Sequence, residues 1–448
     1  MSTSRPGSEL RQPKLISVPV PPQHDAAHND SVEASFWCFE AHCVVQNGKT
    51  IHVYALPAFA LVQSIPLPSY SPVYDDALDL HNDQLAIAFP NGRLDIWNIQ
   101  TRQCEVVQDY TLGNMSEFLE GDLSVSFMKP SPVHSGNQDA KAKDIQLQDP
   151  IIVILETPED LISNLWIWSI PRFRRFDPSF PDSSTADQKP SFFRRINTNA
   201  SIRSFDTANR KIVAACEDCT IRIWDIITGD CNWVLMGHSS PCGPLAVSFS
   251  VRFTNHDRIF SNSLDGAIRI WDMGTGDCRV LSSHPGPAIN WARHSASYIV
   301  GAYRTLGTSS QPETEILVWS MPSEKLKYRF CYVPEPGWQT MMLYVTDHQI
   351  ILEFSVSTPE SSGMCCKIWD LPSGAPLGEF WRHWQGLSLA AMHGFSSHMK
   401  FHIALFDRHG TAALEVVDFS AHVGVPLREG DEEGPESKSK GVEIPEEI

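Results

Sequence analysis

A short apolar strand, usually ending in an aromatic residue, recurs along this chain about every fifty residues, and this repeat limits the fold more than any other feature. It reads TIHVYAL (50–56), RLDIWNI (93–99), NLWIWSI (164–170), TIRIWDI (220–226), AIRIWDM (267–273), EILVWSM (315–321) and CKIWDL (366–371), with a degenerate eighth copy, ALEVVDF (413–419). The marker residues are Tyr54, Trp97, Trp168, Trp224, Trp271, Trp319 and Trp369, with Val417 in the eighth copy. Period-two alternation of β-branched and aromatic residues is the mark of a strand. Turn sequences (ITGDC, GTGDC, PSEK, PSGAP) follow most copies, and a second strand such as CNWVLM (231–236) then begins. The 32 Pro and 26 Gly suit many short strands joined by turns. The intervals before Trp168 and before Trp224 are long, and their extra residues fall near 130–146 and 171–200, polar or Pro/Ser-rich stretches read as loop insertions on the surface.

One four-stranded sheet cannot bury both faces alone, so repeated sheets must cover one another. In its middle the chain resembles the WD-repeat family. The fifth unit has Gly237-His238, LAVSF, RIFSNS, Asp265-Gly266 and AIRIWD in family order, and the fourth has Asp218 before TIRIWD. The resemblance is strong from about 200 to 380 and weaker outside. It implies an all-β fold: a single WD-repeat β-propeller of eight blades, with seven as the alternative. It also implies that the strand-like LISVPV (15–20) pairs with the last blade. On this reading residues 1–14 are a flexible N-terminus, 15–428 the propeller, and 429–448 a disordered acidic tail.

The formal net charge is −18, which opposes a phosphate backbone and an anionic membrane surface, so neither nucleic acid nor membrane is an expected partner. No run of 18 apolar residues occurs, and the first 22 residues hold no continuous apolar core of a signal peptide. Eleven Cys, an odd number scattered along the chain, suit a reducing compartment, so a cytoplasmic or nuclear location is expected.

His238, Ser261 or Ser263, Asp265 and Trp271 together look like a Ser-His-Asp set. No nucleophile elbow surrounds the serines. The family resemblance implies that these residues, with Asp218 and Trp224 in the preceding unit, form a structural network that ties the blade, because buried polar groups need partners. Replacing His238 by Ala is then expected to cost roughly 1–3 kcal/mol. Cys216-Glu-Asp-Cys219 has a C-x-x-C spacing but no second ligand pair. Asp75, Asp76, Asp79, His81 and Asp83 lack the register of a calcium loop and read as a solvated loop. Cys104, Cys231 and Cys278 recur at one place after the turn, which reads as packing. No phosphate loop, dinucleotide fingerprint, zinc-protease or kinase signature is present. The chain is therefore expected to be no enzyme and to hold no cofactor or metal.

Arg172, Arg174, Arg175, Arg194 and Arg195 alternate with phenylalanines in the second insertion, a composition able to grip an acidic or phosphorylated partner. Arg203 in SIRSFD is a further candidate contact. The expected function is a non-catalytic protein–protein interaction scaffold or adaptor, working in a complex with other proteins. A closer resemblance supplies the alternative. The stretches ITGDCNWVLMGH and GTGDCRVL are similar to the propellers of F-box/WD substrate receptors, which implies a substrate-recognition subunit associated with a ubiquitin ligase. No F-box module is expected in the residues before the first unit. Arg203 matches a phosphate-reading position of those receptors, whereas Glu217 and Leu264 stand where they carry arginine.

Overall fold

The computed structural model describes residues 14–21, 34–39, 41–67, 77–81, 83–89, 93–107, 122–127, 151–157, 162–169, 191–208, 210–240, 250–255, 258–263, 265–283, 289–306, 312–321, 323–332, 338–357, 362–383, 388–395, 401–408 and 411–418. Among them no helix forms, and so none is long and apolar enough to cross a membrane. The described residues make eight four-stranded antiparallel sheets, four in each of two compact units.

The unit Ser69–Ser283 holds the best-matched repeats. Its first sheet is β6 (Leu78–His81), β7 (Gln84–Ala88), β8 (Leu94–Asn98) and β9 (Gln103–Val107). Its second is β10 (Asp122–Phe127), β11 (Ile151–Thr157), β12 (Asn164–Ser169) and β13 (Ser191–Asn197). Its third is β14 (Ile202–Ala208), β15 (Lys211–Cys216), β16 (Ile221–Asp225) and β17 (Cys231–Leu235). Its fourth is β18 (Ser250–Asn255), β19 (Arg258–Asn262), β20 (Ala267–Asp272) and β21 (Cys278–Ser283). In each the strands lie side by side in chain order.

Strand β15 reads KIVAAC because both its faces are covered, and a strand buried on two sides is apolar throughout rather than alternating. Ile212, Ala214 and Cys216 pack with Val153, Leu155, Leu165 and Ile167 of the second sheet. Val213 and Ala215, on the other face, pack with Ile259, Trp271 and Met273 of the fourth. Each fully buried Ile or Val contributes about 1.5–3 kcal/mol relative to exposure.

The Asp that follows the marker Trp has a local task. Asp225 Oδ1 accepts the backbone N–H of Ile227 (2.7 Å) and Thr228 (3.0 Å), and Asp272 Oδ1 accepts those of Gly274 (2.8 Å) and Thr275 (3.1 Å). Gly229 and Gly276 close these turns at φ of 76° and 77°, where a Cβ is strained.

The other unit, Met1–Pro68 with His284–Ile448, contains three sheets in chain order. They are β2 (Ala34–Cys38), β3 (His42–Asn47), β4 (Thr50–Ala55) and β5 (Ala60–Pro66); β22 (Ile289–His294), β23 (Tyr298–Leu306), β24 (Pro312–Ser320) and β25 (Leu326–Tyr332); and β26 (Trp338–Val345), β27 (Gln349–Ser357), β28 (Ser362–Asp370) and β29 (Pro376–His383). The fourth sheet departs from chain order. It runs β30 (Ser388–Phe395), β31 (Phe401–Arg408), β32 (Thr411–Asp418) and then β1 (Lys14–Pro19). The strand from the beginning of the sequence thus pairs antiparallel with the last, Lys14 opposite Asp418 and Pro19 opposite Ala413. Val20, Leu414 and Val416 of this sheet share a core with Phe36, Cys43, Val45 and Tyr54 of the sheet β2–β5.

Two loop expectations are corrected. The second insertion, 171–200, is not a loop throughout, since its end is β13, hydrogen-bonded along β12. The aspartate-rich stretch is not simply a solvated loop, since Leu78–His81 is β6 and Asp79 Oδ2 accepts the backbone N–H of Phe127 at 2.7 Å. β1 begins at Lys14, inside the stretch assigned to a flexible N-terminus. The insertion at 130–146, residues 171–190 and the tail 429–448 lie outside the described residues.

Candidate functional site

Four side chains from the fourth sheet of the Ser69–Ser283 unit and the segment before it meet in one hydrogen-bonded chain. Trp271 Nε1 on β20 donates to Ser261 Oγ on β19 (2.8 Å), and Ser261 Oγ lies 2.9 Å from His238 Nε2. His238 Nδ1 lies 3.0 Å from Asp265 Oδ2, in the turn that joins β19 to β20. The remaining capacity of that carboxylate is filled by the backbone N–H of Ser239 (3.0 Å) and of Ala267 (2.9 Å) and by Arg269 Nη1 (3.0 Å).

The order of donors follows from the ends. The indole can only donate, so Ser261 Oγ accepts from it and sends its own proton to His238 Nε2. His238 then carries its proton on Nδ1 and donates it to Asp265. Arg269 Nη1 also comes 2.5 Å from His238 Nδ1. Both groups donate, so this approach reflects their shared hold on one carboxylate and is no bond of its own.

The electrostatics favour a neutral imidazole. Burial lowers the pKa of His238 below its ordinary 6.5, although the Asp265 hydrogen bond pulls the other way. Burial pushes Asp265 up, yet the hydrogen bonds from His238 and from the Ala267 and Ser239 amides together hold its carboxyl well below the usual range.

Ser261, not Ser263, joins the network. Ser263 Oγ accepts the Asp265 N–H (3.3 Å) and reaches the Ser240 carbonyl (3.5 Å). With Ser261 0% and His238 6% exposed, the serine hydroxyl is not presented to solvent. The chemistry this geometry performs is mutual satisfaction of buried polar groups across β19, β20 and the segment before β18.

The third sheet keeps only half of the arrangement. Asp218 Oδ1 accepts from Thr220 Oγ1 (2.6 Å), and Arg222 Nη2 donates to Asp218 Oδ2 (2.6 Å). By register Ala214 stands where β19 has Ser261, and Trp224 is buried in the apolar core. Arg269 and Arg222 were overlooked in the sequence, although the signal is there as an Asp followed four residues later by Arg, in both DGAIR and DCTIR.

The arginine candidates are dispersed. Arg194 and Arg195 sit on β13. Arg194 Nη2 donates to the Ile227 carbonyl (2.8 Å), while Arg195 lies 4.7 Å from the Trp166 ring and donates to Asn164 Oδ1 (3.1 Å). Arg203 on β14 forms an ion pair with Glu217. Arg172, Arg174 and Arg175 lie outside the described residues. Among the described residues no three His, Cys, Asp or Glu side chains gather as metal ligands would. Cys216 is buried, with its thiol pushed up to about 12 chiefly by that burial, and Cys219 Sγ points to the Glu217 carbonyl at 3.9 Å.

Residues 195–225 and 229–272 match the WD domain, G-beta repeat. These two stretches are WD repeats. The first matched stretch runs from the end of β13 through β14, β15 and β16, and the second from β17 through β18, β19 and β20 to the Trp271-Asp272 pair that gives the repeat its name. No curated protein matches the chain. Among solved structures, the crystal structure of the computationally designed Ika8 protein is similar to it, with a TM-score of 0.51 and 15% identity over 88% of this chain and 98% of that one. At that identity the likeness concerns the fold. Described residues that are all-β, in four-stranded antiparallel sheets with WD-repeat matches, fit a β-propeller.

Proposed function

We propose that the chain is an eight-bladed WD-repeat propeller that serves as a non-catalytic scaffold for other proteins. WD repeats generally mediate protein–protein contact, and rigid sheets joined by exposed turns suit that task. The observation that carries the reading is the Trp271–Ser261–His238–Asp265 chain. The residues most like a catalytic set are spent on holding one sheet together. Eight four-stranded sheets among the described residues support the blade number.

The reading as a ubiquitin-ligase substrate receptor is weaker. A phosphate-reading Arg203 needs a free guanidinium, and Glu217 already engages it. A cytoplasmic or nuclear location goes with the scaffold reading.

Affinity purification of the tagged full-length chain from native extract at low salt, with mass spectrometry of co-purifying proteins, tests this. A stable set of partners, retained in stoichiometric amount, is expected. A cullin or its adaptor among them would favour the receptor reading instead. No retained protein at any salt would remove the scaffold reading.

A further inference from the structure

Cys38 closes β2 and Cys43 lies directly opposite it on β3. The N–H of Phe39 donates to the His42 carbonyl at 2.8 Å, which makes 39 and 42 the hydrogen-bonded pair beside the turn. The next pair, Cys38 and Cys43, is then a non-hydrogen-bonded pair, whose Cα atoms approach to about 4.5 Å and whose side chains lie closest. A disulfide needs Cα atoms about 4.4–6.8 Å apart, so the bridge can form without moving the backbone. Both thiols are free, Cys43 is buried, and Cys38 is half-exposed and packed on the same core.

We propose that Cys38 and Cys43 form a reversible disulfide by exchange with a small-molecule disulfide, glutathione disulfide being the probe. The half-exposed Cys38 thiolate attacks one sulfur of the probe, a mixed disulfide forms, and one glutathione leaves. Cys43 then attacks the Cys38 sulfur, the intramolecular bridge forms, and the second glutathione leaves. Two cysteines lose two electrons, the probe gains them, and the two cysteine protons end on the two glutathiones. The contact with Cys38, and then burial, push the Cys43 thiol well above its ordinary value, so Cys38 is the entry point and Cys43 the resolving partner.

Among the described residues, the exposed cysteines have no such partner. Cys231 stands opposite Trp224, Cys278 opposite Trp271, and Cys331 opposite Glu315. The bridge would staple β2 to β3 in the core they share with the sheet built from β1 and β32.

The test holds the native full-length chain in glutathione buffers of rising oxidised share, quenches with acid, alkylates and maps the peptides by mass. The peptide that contains both Cys38 and Cys43 should become two hydrogens lighter and return to its full mass with dithiothreitol. Cys231, Cys278 and Cys331 should gain only glutathione adducts. In Cys43→Ser, checked for native circular dichroism, the Cys38–glutathione adduct should accumulate. The proposal is overturned if the wild-type peptide keeps two alkylatable thiols in buffers that already modify Cys231. A stable Cys38 adduct beside an intact Cys43 thiol in the wild type would sink it equally, and both of these outcomes are read without the variant.

Discussion

Trp271 and Ser261 stand on adjacent strands of one sheet, and the indole N–H of the first donates to the hydroxyl of the second at 2.8 Å, with both residues buried. Ser261 is the hub of the hydrogen-bonded chain, because its hydroxyl stands between the indole and the imidazole. Replacing it with Ala strands a buried N–H and a buried ring nitrogen, at a cost of roughly 1–3 kcal/mol. The fold should persist, since Ala214 already occupies the matching place in the third sheet. Urea unfolding of S261A and W271F, singly and together, checks this. Losses that simply add would argue against a shared network.

Acid should weaken the protein through the same network. His238 titrates below 6.5 when folded, so below that pH the unfolded chain binds a proton that the folded chain refuses. Asp265 titrates below 3.8 when folded, so in stronger acid the unfolded chain again protonates first. Both groups contribute stability that is present above their unfolded values and lost as pH falls. Urea midpoints should therefore drop from about pH 7.5 to about pH 5. His238→Gln should shrink that drop without abolishing it, because burial lowers His52 as well. A midpoint that stays level or rises on acidification contradicts the assignment.

Gly276 is a place where only glycine fits. Its φ is 77°, and a Cβ there would stand 2.9 Å from the Trp233 ring. Gly276→Ala should destabilise by more than about 1 kcal/mol. Thermal melting is the direct measure, and an unchanged or raised melting temperature would contradict both the backbone strain and the close approach to Trp233.

Arg195 separates packing from partner contact. Its guanidinium lies over Trp166 and its fork reaches Asn164. Arg195→Ala should cost about 0.5–1 kcal/mol of stability, the worth of an exposed cation–π pair. Set beside the unmodified chain in the pull-down, the variant shows whether Arg195 also serves a partner. Partner loss out of proportion to so small a change in stability would make it a contact residue.

The repeat was plain in the sequence where local pattern and burial agree. The strands IRIWD at 221–225 and 268–272 declare themselves because a β-branched run ends in Trp and an Asp then closes the turn. β13 did not declare itself. SFFRRIN pairs like with like instead of alternating, and it becomes a strand because β12 offers a hydrogen-bonding edge on both sides of the irregularity at Ile167 and Trp168, and because Trp166 accepts the Arg195 cation. β6 hid for a related reason. LDLH sits among acids that suggest solvent, but Asp79 is taken up by the Phe127 amide of a neighbouring sheet. Of the site, the His, Ser, Asp and Trp were legible as types. The choice of Ser261 over Ser263 and the part played by Arg269 depend on cross-strand register, which a one-dimensional pattern does not hold.

The pairing of β1 with β32 sets a timetable for synthesis. Sheets made of consecutive strands can assemble as soon as their own stretch has left the ribosome. The sheet that takes β1 as its outer member cannot, because its other three strands are made long after β1. The segment from Lys14 to Pro19 therefore cannot take its native place until residues 411–418 have been made, and until then its backbone edge is open to any competing strand.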